Sequence, residues 1–190
     1  MRPVLVAVSG PPGSGKTTLA RELGEKVGLP VIAKDDIKEM LLDTIGWSTT
    51  EWSKTLGSAT WELLFLLIDR MLAGEASLIV ESNFYPDVHA ERLQVMQKRH
   101  TFELVEVNCR CDPEVLAHRY RTRERHPGHD PDGTVYFTPE LGAELLVTHG
   151  PLGIGTLLQV DTNDPDKIDW DRIVSAVRRA RGERDGSQDG

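Results

Sequence analysis

The sequence predicts one α/β domain with a parallel sheet of five strands and helices on both faces. Short apolar runs, typical of buried strands, alternate with stretches of helical periodicity along nearly the whole chain. The 190 residues are enough for one such domain with a sizeable core and too few for two. We therefore expect a single domain over residues 1–182, followed by a charged, glycine-rich and disordered tail over residues 183–190.

The first half of the chain predicts three strands and four helices. The strands are expected at about Pro3–Ser9, Val31–Ala33 and Ser77–Val80. The helices are expected at about Gly15–Val27, Ile37–Ile45, Trp47–Gly74 and Asp87–Arg99. In the third helix, one apolar face predicts the side that packs against the sheet. That face consists of Trp52, Leu56, Ala59, Leu63, Leu66 and Leu67.

The second half predicts two more strands, at about Phe102–Cys109 and Thr156–Asp161. A helix starts at Asp112-Pro113-Glu114 and continues through an arginine-rich stretch, and further helices are expected at about Pro139–His149 and Pro165–Arg181. Cys109 and Cys111 are one residue apart within an apparent strand. Since this spacing suits neither a zinc site nor a disulfide framework, we expect reduced structural thiols.

The strongest functional signal lies between the first strand and the first helix. Residues 10–17 read G-P-P-G-S-G-K-T and fit the G-x-x-x-x-G-K-[ST] phosphate loop. Glycines let backbone N–H groups turn toward a phosphate, and the following helix adds the positive end of its dipole. We expect Lys16 to reach the β and γ phosphates of ATP and Thr17 to bind Mg²⁺. The residues expected to contact ATP in this loop are Gly10, Pro11, Pro12, Gly13, Ser14, Gly15, Lys16, Thr17 and Thr18.

Acidic residues follow the second and third strands. The carboxyl ends of strands in open α/β sheets form one ligand-binding edge, so Asp35 and Asp36 are expected beside the phosphate loop. Asp36 is nearer the following helix and is predicted to cap it. Glu81, after the third strand, resembles the Walker B position and is expected to hold Mg²⁺ directly or through water.

Two loops are candidates for contacts with a second substrate. Trp47 lies in a Gly-Trp-Ser-Thr-Thr connection, where a substrate role and a structural role are equally open. Four arginines, Arg119, Arg121, Arg123 and Arg125, precede His126-Pro127-Gly128-His129. Next to a phosphate site this pattern predicts a mobile arginine lid over about residues 119–138 rather than a solvated helix face. The two histidines are assigned to the lid or the acceptor site, because two histidines without a third ligand are weak evidence for a metal.

Composition and charge exclude some functions. The formal net charge is −8, which argues against broad nucleic-acid binding. With 39% hydrophobic and 27% charged residues and no apolar run long enough for a membrane span, no membrane partner is expected. Since the chain starts directly with a strand rather than a signal peptide, we expect a cytoplasmic location.

Four segments in this order resemble one enzyme family. They are the phosphate loop over residues 10–18, Lys34-Asp35-Asp36-Ile37-Lys38, Glu81-Ser82-Asn83-Phe84, and the lid ending in Arg125-His126-Pro127-Gly128-His129. From Val4 to about Ala180, the chain resembles the small P-loop kinases of the AAA_33 or "predicted kinase" group. That group is itself similar to polynucleotide 5′-hydroxyl kinases, chloramphenicol phosphotransferases and, more distantly, zeta toxins and shikimate or gluconate kinases. The resemblance implies a three-layer P-loop NTPase fold, the strand order 2-3-1-4-5, and ATP and Mg²⁺ as cofactors.

The resemblance also implies roles for single residues. Asp35 would activate the acceptor hydroxyl, and Lys38 stands where the polynucleotide kinases have an arginine beside the acceptor. Because lysine lacks the planar fork suited to phosphate, a nucleic-acid 3′-phosphate acceptor is disfavoured. Arg119 would lie on adenine and Arg123 would contact the transferred phosphoryl group, with a register uncertain by one helical turn. The loop Thr162–Pro165, with Asn163 and Pro165, would border the adenine.

The predicted function is an ATP-dependent kinase that phosphorylates a hydroxyl of a small molecule such as a nucleoside, a sugar or an antibiotic. Lys16, Asp35 and Arg123 are the predicted catalytic residues. The acceptor pocket is expected to be framed by Asp35, Lys38, Trp47, Asn83, Arg125 and His126. Two alternatives stay open, namely a polynucleotide 5′-hydroxyl kinase and a non-catalytic ATP-binding switch or toxin-like protein. Either a monomer or a homodimer is compatible with the sequence.

Overall fold

The computed structural model describes residues 2–183 and is organised around a five-stranded parallel sheet. The strands are β1 (Val4–Ser9), β2 (Val31–Ala33), β3 (Leu78–Glu81), β4 (Glu103–Arg110) and β5 (Thr156–Asp161). Their order in the sheet is β2-β3-β1-β4-β5, which confirms the expected kinase-type order. The predicted disordered tail, apart from its first residue, lies outside the described residues.

Seven α-helices connect and cover these strands within residues 2–183. They are α1 (Lys16–Val27), α2 (Lys34–Ile45), α3 (Thr50–Ala73), α4 (Pro86–Arg99), α5 (Pro113–Thr122), α6 (Pro139–Thr148) and α7 (Trp170–Ala180). The last helix begins five residues later than predicted. Pro165–Lys167 forms a separate 3₁₀ turn, and Asp169 caps α7 by accepting a hydrogen bond from the Arg172 backbone N–H at 3.0 Å. None of the helices within these residues is long and apolar enough to span a membrane.

The central strand β1 separates two hydrophobic layers. All six of its residues are buried, as expected for a strand covered on both faces. Val4, Val6 and Val8 pack against α1 and α7 on one face, whereas Leu5 and Ala7 pack against α3 and α4 on the other. The predicted three-layer sandwich is therefore confirmed. Cys109 and Cys111 are buried free thiols, and burial raises the pKa of Cys109 to about 12.

The predicted buried face of α3 was largely wrong. Only Leu56 of the expected set is buried, while Leu63, Leu66 and Leu67 are 38–48% exposed. The buried side instead consists of Ser53, Leu56, Thr60, Leu64, Phe65, Ile68 and Leu72. Residues 63–68 are apolar all around the helix, so periodicity could not select a face. Thr60 is tolerated in the core because its hydroxyl donates to the Leu56 carbonyl at 2.6 Å.

A buried histidine predicts a pH-dependent loss of stability. His89 is 4% exposed, stacks on Trp61 at 3.8 Å between ring centroids, and accepts a hydrogen bond from the Tyr85 N–H through Nδ1. Burial, together with the positive charges of Arg92 and Lys34, lowers the pKa of His89 to about 4. The unfolded chain therefore binds more protons between pH 6.5 and 4, and stability falls as the pH falls through this range.

We expect His89→Asn to flatten this pH dependence. Each pH unit of difference in pKa corresponds to about 1.4 kcal/mol. Between pH 6.5 and 4, His89 should therefore lower the free energy of unfolding by about 3 kcal/mol. The measurement is urea unfolding of the wild type and the variant at pH 7, 5.5 and 4.5. Equal slopes of stability against pH in the two proteins would contradict the assignment.

A buried carboxylate ties the chain before β5 to the sheet. Glu106 lies on β4 with no exposed surface and accepts hydrogen bonds from the backbone N–H groups of Leu152 and Gly153. Burial raises the pKa of Glu106, and these two hydrogen bonds partly oppose the rise. Glu106 therefore serves as a structural anchor within the core.

Removing this anchor is expected to destabilise the fold. Glu106→Ala leaves two backbone donors without their acceptor, at a cost of about 1–3 kcal/mol for each buried unsatisfied group. Glu103→Ala is the matched control on the same strand, because Glu103 makes only an exposed ion pair with Arg2. Urea unfolding at pH 7 should show a loss for Glu106→Ala well beyond that for Glu103→Ala. Similar losses would show that the Glu106 contacts contribute little.

Candidate functional site

The loop after β1 has a backbone shape that requires glycine. Gly10, Gly13 and Gly15 have φ angles of 140°, 89° and 78°. A Cβ atom at Gly10 would lie 2.5 Å from the Cys109 carbonyl oxygen, and one at Gly13 would lie 2.9 Å from that of Leu116. Backbone geometry therefore favours glycine at all three positions, and close neighbours add to this requirement at Gly10 and Gly13.

The N-terminus of α1 is available to an anion. Its N-cap residue, Gly15, provides no side-chain cap, and its first turn contains no acidic residue. By contrast, α3, α6 and α7 are capped by the side chains of Thr49, Thr138 and Asp169. Because the first N–H groups of a helix lack partners within the helix, the start of α1 is suited to bind phosphate.

Three side chains at the end of β3 and the start of α1 form a compact polar group. The Thr17 hydroxyl donates to Glu81 Oε2 at 3.0 Å, and Lys16 Nζ lies 3.5 Å from Glu81 Oε1. Lys16 and Glu81 are both buried. A hydroxyl and a carboxylate are hard oxygen donors of the kind that Mg²⁺ prefers, and Mg²⁺ typically needs only one or two such protein ligands besides water and phosphate. The donor set therefore fits the predicted metal.

Asp35 lies at the same edge of the sheet. Ala33, the last residue of β2, is in register with Glu81 of β3, and α2 starts immediately at Lys34. Asp35 is therefore in the first turn of α2, where Lys34 Nζ lies 3.8 Å from its Oδ1 atom. This helix starts three residues earlier than predicted because β2 passes into it without a loop.

The predicted cap by Asp36 was wrong. The N-cap position belongs to Ala33, and no side chain caps α2. Asp36 instead forms an exposed ion pair with Arg21 of α1 at 3.2 Å. The early helix start places Asp36 within the first turn, where it can no longer occupy the cap position.

The electrostatic environment keeps Asp35 ionised. Burial raises the pKa of Asp35, but nearby positive charges lower it by more, so the pKa lies below its ordinary value of 3.8. These charges belong to Lys34, Lys16, His129 and Arg123. The carboxylate is therefore charged at neutral pH and within electrostatic reach of the phosphate loop.

A cleft of about 380 Å³ adjoins the phosphate loop. Its walls include Arg119, Arg123, Thr162, Pro165 and Trp170. Its volume lies within the range typical of small-ligand sites. The cleft is open to the first turn of α1, so a nucleotide with its phosphates on the loop would place its base here.

Arg119 is held in this cleft by the chain after β5. Its Nη2 atom donates to the carbonyl oxygens of Thr162 at 2.8 Å and Asn163 at 3.1 Å. The Asn163 side chain accepts from the backbone N–H of Asp112 at 2.9 Å and does not line the cleft. Asn163 therefore positions Arg119 through its backbone, whereas Pro165 forms part of the wall.

Comparison with known proteins identifies the family. A model of the AAA_33 family, described as an AAA domain, matches residues 5–135. A crystal structure of a provisionally assigned kinase from Chloroflexus aurantiacus superposes with a TM-score of 0.82 at 36% identity, covering 95% of this chain and 99% of the other. The chain belongs to the AAA_33 family. Its fold is that of the small P-loop kinases.

More distant similarities are limited in extent or to the fold. A cytidylate kinase of Pyrobaculum aerophilum is 36% identical over 78 residues, which are 40% of this chain and 42% of that enzyme. The AAA_33 chain thus spans less than half the length of this curated relative. A shikimate kinase of Acinetobacter baumannii superposes with a TM-score of 0.58 at 17% identity over 94% of each chain, which supports the fold alone.

The arginine-rich segment of this AAA_33 domain is only partly helical. Helix α5 ends at Thr122, so Arg123 and Arg125 lie in the following loop and not in the helix that was predicted to continue through the arginine-rich stretch. Arg123 lines the cleft beside the phosphate loop, and its guanidinium lies 5.7 Å from the Tyr120 ring centroid. Arg125 lies closer to the same ring, at 4.4 Å.

The segment after α5 is attached to α2 and α3. His126 Nε2 lies 3.1 Å from Asp43 Oδ1, and His129 Nε2 lies 2.9 Å from Glu39 Oε1. Farther along, the Thr50 backbone N–H donates to Asp132 Oδ2 at 3.2 Å. The segment therefore packs against α2 and the start of α3. Its movement as a lid stays a prediction.

The remaining predicted acceptor residues lie around α2 and the edge of the sheet. Trp47 is 43% exposed and contacts His126 edge to face at 6.2 Å. Lys38 is 8% exposed and donates to Ser53 Oγ at 2.9 Å. Asn83 follows β3 by two residues and accepts a weak hydrogen bond from Ser82 at 3.4 Å. The structure therefore buries Lys38 and leaves Trp47 partly exposed, and their roles toward an acceptor stay predictions.

Sequence reasoning assigned no role to Lys34 and Trp170, and it placed Thr162 only in the loop expected to border the adenine. Lys34 is buried beside Asp35, and its ammonium lies 5.4 Å from the Trp61 ring centroid. Thr162 bridges the phosphate loop to β4, because its hydroxyl bonds to the carbonyl oxygens of Ser14 and Arg110. Trp170 supplies an aromatic wall of the cleft. Of the two residues without a predicted role, only Lys34 carried a usable sequence signal, because it is adjacent to Asp35.

Proposed function

We propose that this protein is an ATP-dependent kinase that transfers the γ-phosphoryl group to a hydroxyl of a small molecule. The observation that carries the proposal is the ionised Asp35 beside Lys34, within electrostatic reach of Lys16 and Arg123. Phosphoryl transfer depends on positioning and on charge stabilisation rather than on a covalent protein intermediate. The carboxylate can position the acceptor, and the cations around it can stabilise the charge on the transferred phosphoryl group.

Each group has a specific task in this mechanism. The phosphate loop and the start of α1 bind the β and γ phosphates, and Lys16 and Arg123 stabilise the charge that spreads over the transferred phosphoryl oxygens. Thr17 and Glu81 would hold Mg²⁺ directly or through water, and the metal would supply further charge neutralisation at the phosphates. Arg119, Pro165 and Trp170 enclose the base of the nucleotide. Asp35 orients the acceptor hydroxyl and accepts its proton.

The presence of a base favours a hydroxyl acceptor. An alcohol retains its proton at neutral pH and gains from a carboxylate that accepts it during transfer. A phosphate acceptor is already mostly deprotonated at pH 7, because its second pKa is near 6, and it needs no such base. Asp35 can therefore act as a base toward an alcohol acceptor, whereas a phosphate acceptor would not need a base.

The test is acceptor-dependent ADP formation across a library of sugars, sugar acids, nucleosides and amino sugars, with Mg²⁺ and ATP. We expect at least one class of hydroxyl compound to raise ADP formation above the rate with ATP alone, and Lys16→Ala to remove that increase. If the protein binds Mg²⁺-ATP but no compound accelerates ADP formation, the kinase proposal fails and a nucleotide-binding switch becomes the better reading.

A second candidate is phosphorylation of a nucleoside monophosphate. It is favoured by the local identity to the cytidylate kinase, which covers less than half of that enzyme. Formation of CDP from CMP in the same assay would support this second function. Its persistence in an Asp35→Asn variant would argue for it decisively, because a phosphate acceptor does not depend on the base.

A further inference from the structure

The outer face of helix α3 is apolar and open to solvent. Leu63, Leu66 and Leu67 are 38%, 48% and 40% exposed, and Ala59 is exposed one turn earlier. We name these four residues the outer stripe, because their spacing of three or four from Leu63 places them on one side of the helix. A single exposed leucine is ordinary, whereas a contiguous apolar stripe is typical of a surface that binds another molecule.

Within residues 2–183, the elements around α3 pack on its other sides. Leu64 and Ile68 belong to the core cluster on the sheet. Toward α4, Glu62 accepts two hydrogen bonds from the Arg92 guanidinium, at 2.7 and 2.9 Å. The outer stripe therefore stays uncovered in the described part of the chain.

Opposite charges lie at the two ends of α3. Glu51 is in the first turn and Arg70 is in the last turn, and both are exposed. Neither forms an ion pair with another described residue. Trp52 follows Glu51, is 37% exposed, and donates from its indole Nε1 to the Gly46 carbonyl at 3.0 Å, which orients its ring. The helix thus presents a carboxylate and an aromatic ring at its start and a guanidinium at its end.

A second copy of α3, running antiparallel, complements all of these features. In an interface with two-fold symmetry, the same patch of both copies meets itself, and each position faces a fixed position of the other copy. In the register that sets Arg70 opposite Trp52, Leu63 lies opposite Ala59, so a large side chain faces a small one. The Arg70 guanidinium then meets an aromatic face and the neighbouring Glu51 carboxylate. A parallel arrangement would instead bring like charges together at both ends.

The charges of α3 do not suit a membrane surface. Helices that lie on membranes are rich in lysine and arginine, because membrane surfaces carry anionic lipids. The charged residues of α3 are two basic and three acidic ones, namely Lys54, Arg70, Glu51, Glu62 and Asp69. With a net charge of −8 on the whole chain, an identical helix is the better partner for the outer stripe.

We propose that two copies of this chain associate through the outer stripe of α3, with the helices antiparallel and Arg70 of each copy beside Glu51 and Trp52 of the other. The inference is independent of the proposed kinase function, since the outer stripe contains none of the residues assigned to the phosphate loop, the metal or the acceptor. A single pair of helices forms an interface at the low end of the standard size of about 800 Å² per partner. We therefore expect a dimer that dissociates on dilution.

The first test is sedimentation velocity of the full chain at concentrations from about 1 to 300 µM. We expect a monomer–dimer equilibrium in which Leu66→Glu raises the dissociation constant about tenfold or more, because each copy would bury a carboxylate against an apolar surface. Val95→Glu is the matched control, since Val95 is a similarly exposed apolar residue, at 43%, on α4 and outside the outer stripe. Its dissociation constant should stay within about twofold of the wild-type value.

Charge reversal tests the antiparallel arrangement itself. Glu51→Lys and Arg70→Glu each place like charges together twice in the dimer, and each should raise the dissociation constant by about three- to tenfold. The variant that carries both changes restores opposite charges and should return to within about twofold of the wild type. Thermal unfolding of every variant establishes that the fold is retained, as expected for substitutions at exposed positions.

Each outcome supports or overturns the inference. A monomer at all concentrations overturns it, and so does a dimer that Leu66→Glu leaves intact or that Val95→Glu weakens equally. If the double charge variant stays as weak as the single variants, the antiparallel arrangement is rejected. Binding of the monomer to phosphatidylglycerol vesicles that is lost in Leu66→Glu would assign the outer stripe to a membrane surface instead. If Leu66→Glu does not fold, the three charge variants decide the test.

Discussion

Replacing Asp35 by asparagine is expected to lower turnover by ~10²–10⁴, the range typical of losing a general base. Asparagine keeps the size and polarity of the side chain but cannot accept the acceptor's proton. The nearby Lys34 would also lose the carboxylate that lies 3.8 Å from its Nζ atom. Because Asp35 acts on the acceptor rather than on ATP, the affinity for ATP should change little. Steady-state kinetics with an acceptor found in the library, together with calorimetric titration of ATP, provide the measurement.

The adjacent residue offers a close control for this variant. Asp36→Asn removes the same charge one position along α2, but Asp36 makes only a surface ion pair with Arg21. Its turnover should match that of the wild type. Unchanged turnover in Asp35→Asn, or equal losses in the two variants, would remove Asp35 from the mechanism.

Replacing Lys16 by alanine is expected to impair both nucleotide binding and catalysis. Lys16 is buried at the start of α1 and lies 3.5 Å from Glu81 Oε1, within the loop predicted to bind the phosphates. Loss of one preorganised charged donor typically lowers kcat by on the order of 10²–10³, and loss of the phosphate contact also weakens ATP binding. Calorimetric titration of Mg²⁺-ATP and measurement of ADP formation test both effects.

Lys54→Ala is the control for Lys16→Ala, because it removes an exposed lysine from α3. A far-ultraviolet circular dichroism spectrum and a thermal melt of each variant establish that the fold is retained. Normal ATP affinity and normal turnover in Lys16→Ala would reject the assignment of the phosphate loop. The two active-site variants should differ in kind, since Asp35→Asn affects turnover alone whereas Lys16→Ala affects ATP binding as well.

The phosphate loop could be predicted because its determinants are local. The glycines at positions 10, 13 and 15 have positive φ angles, and the loop connects a fully buried strand to a helix. Glu81 and Asp35 could also be placed beside it, because the carboxyl ends of parallel strands share one edge. The structure adds the contacts, such as the Thr17–Glu81 hydrogen bond at 3.0 Å.

Errors occurred where sequence patterns were compatible with several structures. The run over residues 63–68 is apolar all around α3, so only packing against the sheet and α4 could decide which side is buried. Asp36 has the chemistry of a helix cap, but the direct passage from β2 into α2 moves it into the first turn. The arginine stretch looked helical through Arg125, whereas α5 ends at Thr122.

By itself, the sequence determined the alternation of strands and helices, the phosphate loop and the polar residues at the ends of two strands. These features depend on neighbours along the chain or on the general geometry of parallel sheets. Only the tertiary structure decided that Trp170 lines the cleft, that His129 pairs with Glu39, and that Lys38 is buried and donates to Ser53. Burial and charge pairing depend on residues far apart in sequence, which no local pattern encodes.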